Sequence, residues 1–181
     1  DKCGNTAQAS YSFILDGKAP IITLEGVGNY DKTVLDVILG ITVDETFFTT
    51  NRLILTGTRT DIDGEKHKVE FDSFNVNGSK VSSFQQTFKE DGIYDITIQS
   101  TDKAGNSTTK QIHFTIDRTD PEINGLDDYD GKSISRYSWG VDTNKLVRDL
   151  TVCNTSIYMD GVEYDEATTL SEGSHLLRVD L

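Results

Sequence analysis

The stretch from Gly92 to Asp117 reads GIYDITIQSTDKAGNSTTKQIHFTID, and its reading decides the fold class. In the first half Tyr94, Ile96 and Ile98 alternate with Asp95, Thr97 and Gln99; in the second, Ile112, Phe114 and Ile116 repeat the pattern. Successive side chains of a strand point to opposite faces, so each half predicts a strand with one dry face and one wet face. Between them stands Asp102-Lys103-Ala104-Gly105-Asn106. Gly105 and Asn106 are residue types that tolerate left-handed backbone, and the Asp102 carboxylate can cap the N–H groups of a turn. The stretch thus predicts two core strands whose register is fixed by the turn joining them.

The same alternation extends outward. Val37, Leu39, Ile41 and Val43 share one face of a further strand, and no segment carries a helical period. Asp63-Gly64, Asn77-Gly78, Asp91-Gly92, Asp130-Gly131, Asp160-Gly161 and Glu172-Gly173 supply turn chemistry at short intervals. Pro20 and Pro121 each stand just before a strand, where a missing N–H is tolerated. Short strands punctuated this way predict an all-β sandwich. Its core is expected from Val37, Leu39, Ile41, Leu53, Leu55, Tyr94, Ile96, Ile98, Phe114 and Ile116.

An internal repeat sets the boundaries. DKCGNT at Asp1 to Thr6 matches DKAGNS at Asp102 to Ser107, an offset of 101 that also relates Phe13 to Phe114, Asp16 to Asp117, Pro20 to Pro121 and Ile22 to Ile123. After a small indel, Gly26 and Tyr30 match Gly125 and Tyr129. Further on, Asn77-Gly78 matches Asp160-Gly161, and Glu90-Asp91-Gly92 matches Ser171-Glu172-Gly173, which places Tyr94, Ile96 and Ile98 opposite His175, Leu177 and Val179. Three units follow: residues 1–18 as the closing turn and last strand of a neighbouring module, 19–118 as a complete module, and 119–181 as a second module without its last strand. Asp1 begins in mid-motif, so the chain reads as a segment of a longer protein.

Composition narrows the function classes. The chain has 181 residues and a net charge of −13, with no basic cluster of the kind a nucleic-acid surface needs. No apolar run approaches the roughly 20 residues that cross a bilayer as a helix. Cys3 and Cys153 show no metal spacing, and both two separate thiols and one long-range bridge fit them.

From Gly92 to Ile123, GIYDITIQSTDKAGNSTTKQIHFTIDRTDPEI resembles the bacterial immunoglobulin-like repeats of Gram-positive surface proteins and large secreted glycosidases. The likeness lies in the penultimate strand, the D-K-A-G-N turn, the last strand ending in I-D and the proline-bearing linker. It implies tandem immunoglobulin-like β-sandwich modules, export to the cell wall or medium, and a spacer or adhesive role. The partners it implies are neighbouring modules, other copies of the chain, or a host glycan or protein. It brings no catalytic residue.

Candidate chemistry is sparse. His67 lies among charges, His113 alternates with core positions and should face outward, and His175 takes the place of Tyr94 at the edge of a core. None sits in a catalytic or zinc motif, so the chain reads as non-enzymatic. Calcium is the cofactor to consider, with Asp117, Asp120 and Glu122 of the linker as its ligands. Asp61-Ile62-Asp63-Gly64-Glu65 and the group Asp127, Asp128 and Asp130 are further acidic clusters, and solvated acidic turns are the plain reading of all three. Tyr137 and Trp139 offer a surface for a sugar ring or protein partner, or else a core tryptophan. Finally, residues 7–16 have the pattern of the strand the second module lacks. This permits head-to-tail strand complementation between copies, which would bring Cys3 and Cys153 into one composite sandwich. Two frayed ends are the other reading.

Overall fold

A computed structural model describes residues 2–47, 52–71, 81–135, 140–151, 154–165 and 169–181. The chain is all-β; among the described residues there is a single helical turn, α1 (Thr143–Leu146), and one short 3-10 turn at Leu126–Asp128. Among the described residues no helix is long and apolar enough to cross a membrane.

Eight strands build the first body: β1 (Ile21–Glu25), β2 (Asp31–Thr33), β3 (Val37–Asp44), β4 (Arg52–Thr60), β5 (Lys66–Lys68), β6 (Val81–Phe88), β7 (Gly92–Thr101) and β8 (Ser107–Ile116). They form two sheets, β1-β3-β6 and β2-β8-β7-β4-β5. Among the described residues all pairings are antiparallel except β2 with β8, where Asp31, Lys32 and Thr33 run parallel to Phe114, Thr115 and Ile116. The chain moves from the first sheet to the second between β1 and β2. Gly26 (φ 95°) makes that departure possible, because its backbone passes against the Ile38 carbonyl, where a Cβ would collide. Tyr30, also at positive φ, then donates its N–H to the His113 carbonyl, and Asn29 Oδ1 accepts from the His113 N–H at 2.8 Å.

The alternation read from the sequence is the burial pattern. Leu39, Ile41, Val43 and Ile22 from one sheet meet Tyr94, Ile96, Ile98, Ile112, Phe114 and Ile116 from the other in one buried cluster, the signature of a β-sandwich. Leu53 and Leu55 pack against it but are only partly buried. Phe88 crosses from the β6 side to lie edge-on to both Tyr94 and Phe114, which are themselves stacked 4.9 Å apart. Such edge and offset contacts suit the ring quadrupoles. At one end of this sandwich Arg118 ties together two loops: Nε donates to Val34 O, one terminal nitrogen to Lys89 O and Asp91, and the other to Asp36.

The second body is smaller. β9 (Glu122–Ile123) pairs with β10 (Val147–Arg148), and β11 (Ser156–Met159) sits between β12 (Val162–Glu163) and β13 (Leu177–Asp180). Leu146, Ile157 and Val179 are its buried centre, with Leu126, Val147 and Leu177 against them. Asp160-Gly161, both at positive φ, make the two-residue turn of the β11–β12 hairpin, as that dipeptide predicts. In pairing order β12-β11-β13 corresponds to β5-β4-β7, and β9-β10 to β1-β3. The Asp160-Gly161 turn therefore matches the β4–β5 connection; Asn77-Gly78, its partner by sequence offset, lies outside the described residues. Arg148 forms ion pairs with both Glu122 and Asp63, joining the first body's β4–β5 turn to the second body.

Residues 5–20 form no ladder. Tyr11, Phe13 and Leu15, whose alternation predicts a strand, are all exposed, so this segment carries the pattern without a sheet to complete.

Candidate functional site

The turn after β7 is built as its residues foretell. Asp102 accepts the Asn106 N–H on Oδ1 and the Asn106 side-chain amide on Oδ2, each at 2.9 Å, while Gly105 N–H donates to the Asp102 carbonyl. Burial pushes the Asp102 carboxyl up, but the Asn106 amide and the N–H groups of Asn106, Gly105 and Ala104 outweigh it and hold it below the usual carboxylate value. The Asn106 amide also donates to the Asp16 carbonyl at 3.2 Å, tying the irregular segment before β1 to this turn.

That bond brings three carboxylates together at one end of the sandwich. Asp16 precedes β1, Glu45 follows β3 and Asp102 follows β7, and one ligand oxygen from each lies within 4.8 Å of the others. Glu45 is only 3 % exposed and Asp102 only 6 %. Asp16 Oδ1 accepts the Lys18 N–H, and Glu45 Oε1 accepts the N–H groups of Thr46 and Phe47. Asp16 Oδ2 is shut off from solvent and has no hydrogen-bond partner. Sequence reasoning missed this group, since no short motif links residues drawn from three separate loops.

A second group, Asp61, Glu65 and His67, surrounds the β4–β5 turn. Here the carboxylate is already used: Asp61 Oδ1 accepts from Asp63 and Glu65 N–H, and Oδ2 meets His67 Nε2 at 2.6 Å. The His67 bond leads the contributions that lower the Asp61 pKa. This is a capped turn, the plain reading of that motif.

Neither group includes the linker residues Asp117, Asp120 and Glu122. Asp117 N–H donates to Thr33 O and its carboxylate accepts from Thr119, Asp120 is exposed, and Glu122 is paired with Arg148. Asp127, Asp128 and Asp130 lie in and after the 3-10 turn, none buried. Tyr137, Trp139 and Cys153 lie outside the described residues; Cys3 is exposed.

The histidines fall into hydrogen-bonded pairs. His67 is exposed beside Asp61, and His113 faces outward as expected, its Nδ1 2.6 Å from Asp95 Oδ1. The His175 side chain is partly covered, 22 % exposed, and sits between Asp160 Oδ2, 2.7 Å from Nδ1, and the Ser171 carbonyl, 2.9 Å from Nε2. Both neighbours are acceptors, so both nitrogens donate and the imidazolium is favoured; the Asp160 bond, then the Ser171 bond, raise its pKa. Tyr94 makes the comparable bond in the first body, donating from its hydroxyl to Glu90 O at 2.8 Å. Desolvation pushes its phenol up to about 12.

A shallow groove on the outer face of the larger sheet is lined by Asn29, Tyr30, Asp95, Thr97, Gln111 and His113, with the Tyr30 and His113 rings 5.0 Å apart. Comparison with protein-family models, curated proteins and solved structures found no match for this chain.

Proposed function

We propose that the chain is a series of immunoglobulin-like modules acting as a non-catalytic spacer in a bacterial surface or secreted protein. The observation that carries this reading is the recurrence of one side-chain bond at repeat-related positions. Tyr94 donates to the carbonyl of Glu90, and His175, its counterpart, donates to that of Ser171, the counterpart of Glu90. A tyrosine bonded back to the main chain at this corner is a habit of immunoglobulin-like sandwiches. The strand switch from β1 in one sheet to β2 beside β8 in the other supports the same reading. Repeat-related glycines agree as well: Gly4 and Gly105 have φ of 85° and 94°, and Gly92 and Gly173 of 152° and 147°.

Serial modules of this kind make an extended body, and an acidic surface keeps such bodies soluble and apart. Among the described residues β13 pairs only with β11, and residues 7–16 belong to no strand ladder. A strand of the β8 type fits that edge, which supports strand addition from a neighbouring unit or copy.

One feature favours a second reading, an adhesive module for host glycan or protein: the groove at Tyr30 and His113 offers ring faces beside the polar atoms of Asp95 and Gln111. A glycan array and a host-matrix binding screen of the chain separate the two. Absence of specific binding upholds the spacer; a submicromolar hit lost in Tyr30→Ala establishes the adhesin instead.

A further inference from the structure

We infer that Asp16, Glu45 and Asp102 bind a calcium ion that fastens the segment before β1 to the end of the sandwich. The three carboxylates converge from three separate segments, with one oxygen of each within 4.8 Å of the others. Two ligands on opposite sides of a calcium ion at about 2.4 Å lie roughly 4.8 Å apart, so one ion can touch all three.

Charge makes the case stronger than proximity does. Three carboxylates gathered where Glu45 and Asp102 are more than nine-tenths buried repel one another in a poorly screened setting. Among the described residues no Lys, Arg or His forms an ion pair with any of them. The N–H donors around them satisfy Asp16 Oδ1, Glu45 Oε1 and Asp102, but leave Asp16 Oδ2 buried and without a partner. A buried carboxylate oxygen with no donor is a position that a bound cation would satisfy.

The donor set selects the ion. All three side chains offer hard oxygens, with no nitrogen or sulfur, which suits calcium or magnesium rather than zinc or copper. Ligands drawn from three irregular segments fit the variable coordination of calcium better than the strict octahedron of magnesium. Two of the three positions recur in register. Asp117 is the repeat counterpart of Asp16, and Asp149 follows β10 as Glu45 follows β3, since Val147 pairs with Ile123 as Val43 pairs with Ile22. The site does not depend on the spacer reading, which stands or falls by the binding screens.

Calorimetric titration of the metal-stripped chain with calcium chloride tests the proposal, alongside Asp16→Asn and Glu45→Gln variants and Asp61→Asn as control. Binding at millimolar calcium or tighter, weakened roughly tenfold or more by either of the first two changes and unaltered by the third, is expected. Calcium should also slow tryptic cleavage after Lys18 in the parent chain but not in Asp16→Asn. Asp16 lies outside every strand, so its variant keeps the fold, which circular dichroism checks. No binding, binding indifferent to both Asp16→Asn and Glu45→Gln, or tighter binding of magnesium chloride than of calcium chloride would overturn the proposal.

Discussion

Tyr94 and His175 make the same hydrogen bond in different chemistry, each donating from its side-chain tip to the carbonyl four residues upstream. Only the second can titrate near neutrality. The folded pKa of His175 is raised by Asp160 and the Ser171 carbonyl. Its contribution is therefore complete below the unfolded value of about 6.5 and fades as pH climbs through the higher folded value. Hydrogen exchange at β13 should accelerate as pH moves from about 6 to about 9, beyond the intrinsic change in exchange rate, while β7 keeps its protection. In His175→Tyr that extra acceleration should vanish; its persistence would show that another group is responsible.

The core prediction rests on graded burial. Phe114 is fully buried between Tyr94 and Phe88, so Phe114→Ala should cost about 3–5 kcal/mol in urea unfolding. Leu53 is only partly buried, so Leu53→Ala should cost clearly less. Equal losses would contradict the packing described.

Asn106 holds both Asp102 and the Asp16 carbonyl through one amide. Asn106→Ala should lower the melting temperature of the first body by about 5 °C. It should also speed exchange at residues 16–18, a local effect that general destabilisation alone would not single out.

Arg118 reaches Val34, Asp36, Lys89 and Asp91 with one planar group. An ammonium cannot serve that fan of acceptors, so Arg118→Lys should cost about 1 kcal/mol in thermal or urea unfolding despite keeping the charge. A neutral result would mean the exposed network contributes nothing.

Strand addition predicts self-association. Light scattering should report complexes that grow with concentration, and Phe13→Asp should abolish them by placing a charge on the face meant for a core. A chain that stays monomeric at every concentration would count against it.

The strands richest in alternation were legible because burial on one face leaves a period of two: Tyr94, Ile96, Ile98, Phe114 and Ile116 are buried where expected. The Asp102 turn was legible because its bonds are local. β2 was not, since Asp31-Lys32-Thr33 has no apolar alternation and owes its place to Gly26 and to the His113 backbone. Residues 7–16 carry a strand's pattern without a ladder, for pattern specifies a face and not a partner. Asp16, Glu45 and Asp102 could not be grouped from spacing, because only the folded sandwich brings their three loops to one end. The bonds of His175 to Asp160 and Ser171 were not legible, because the sequence offered only its analogy with Tyr94 at the edge of a core.

The parallel pairing of β2 with β8 has a mechanical consequence. When the chain is pulled from both sides of this sandwich, tension draws β2 toward its start and β8 toward its end, along one shared axis. The bonds between Asp31–Thr33 and Phe114–Ile116 then take the load in shear, together, rather than parting one after another as in a peeled hairpin. Rupture under force follows the height of the unfolding barrier rather than equilibrium stability. A patch only three residues long, Asp31–Thr33, thus becomes the clasp that still holds the first body once β1 has been drawn off β3.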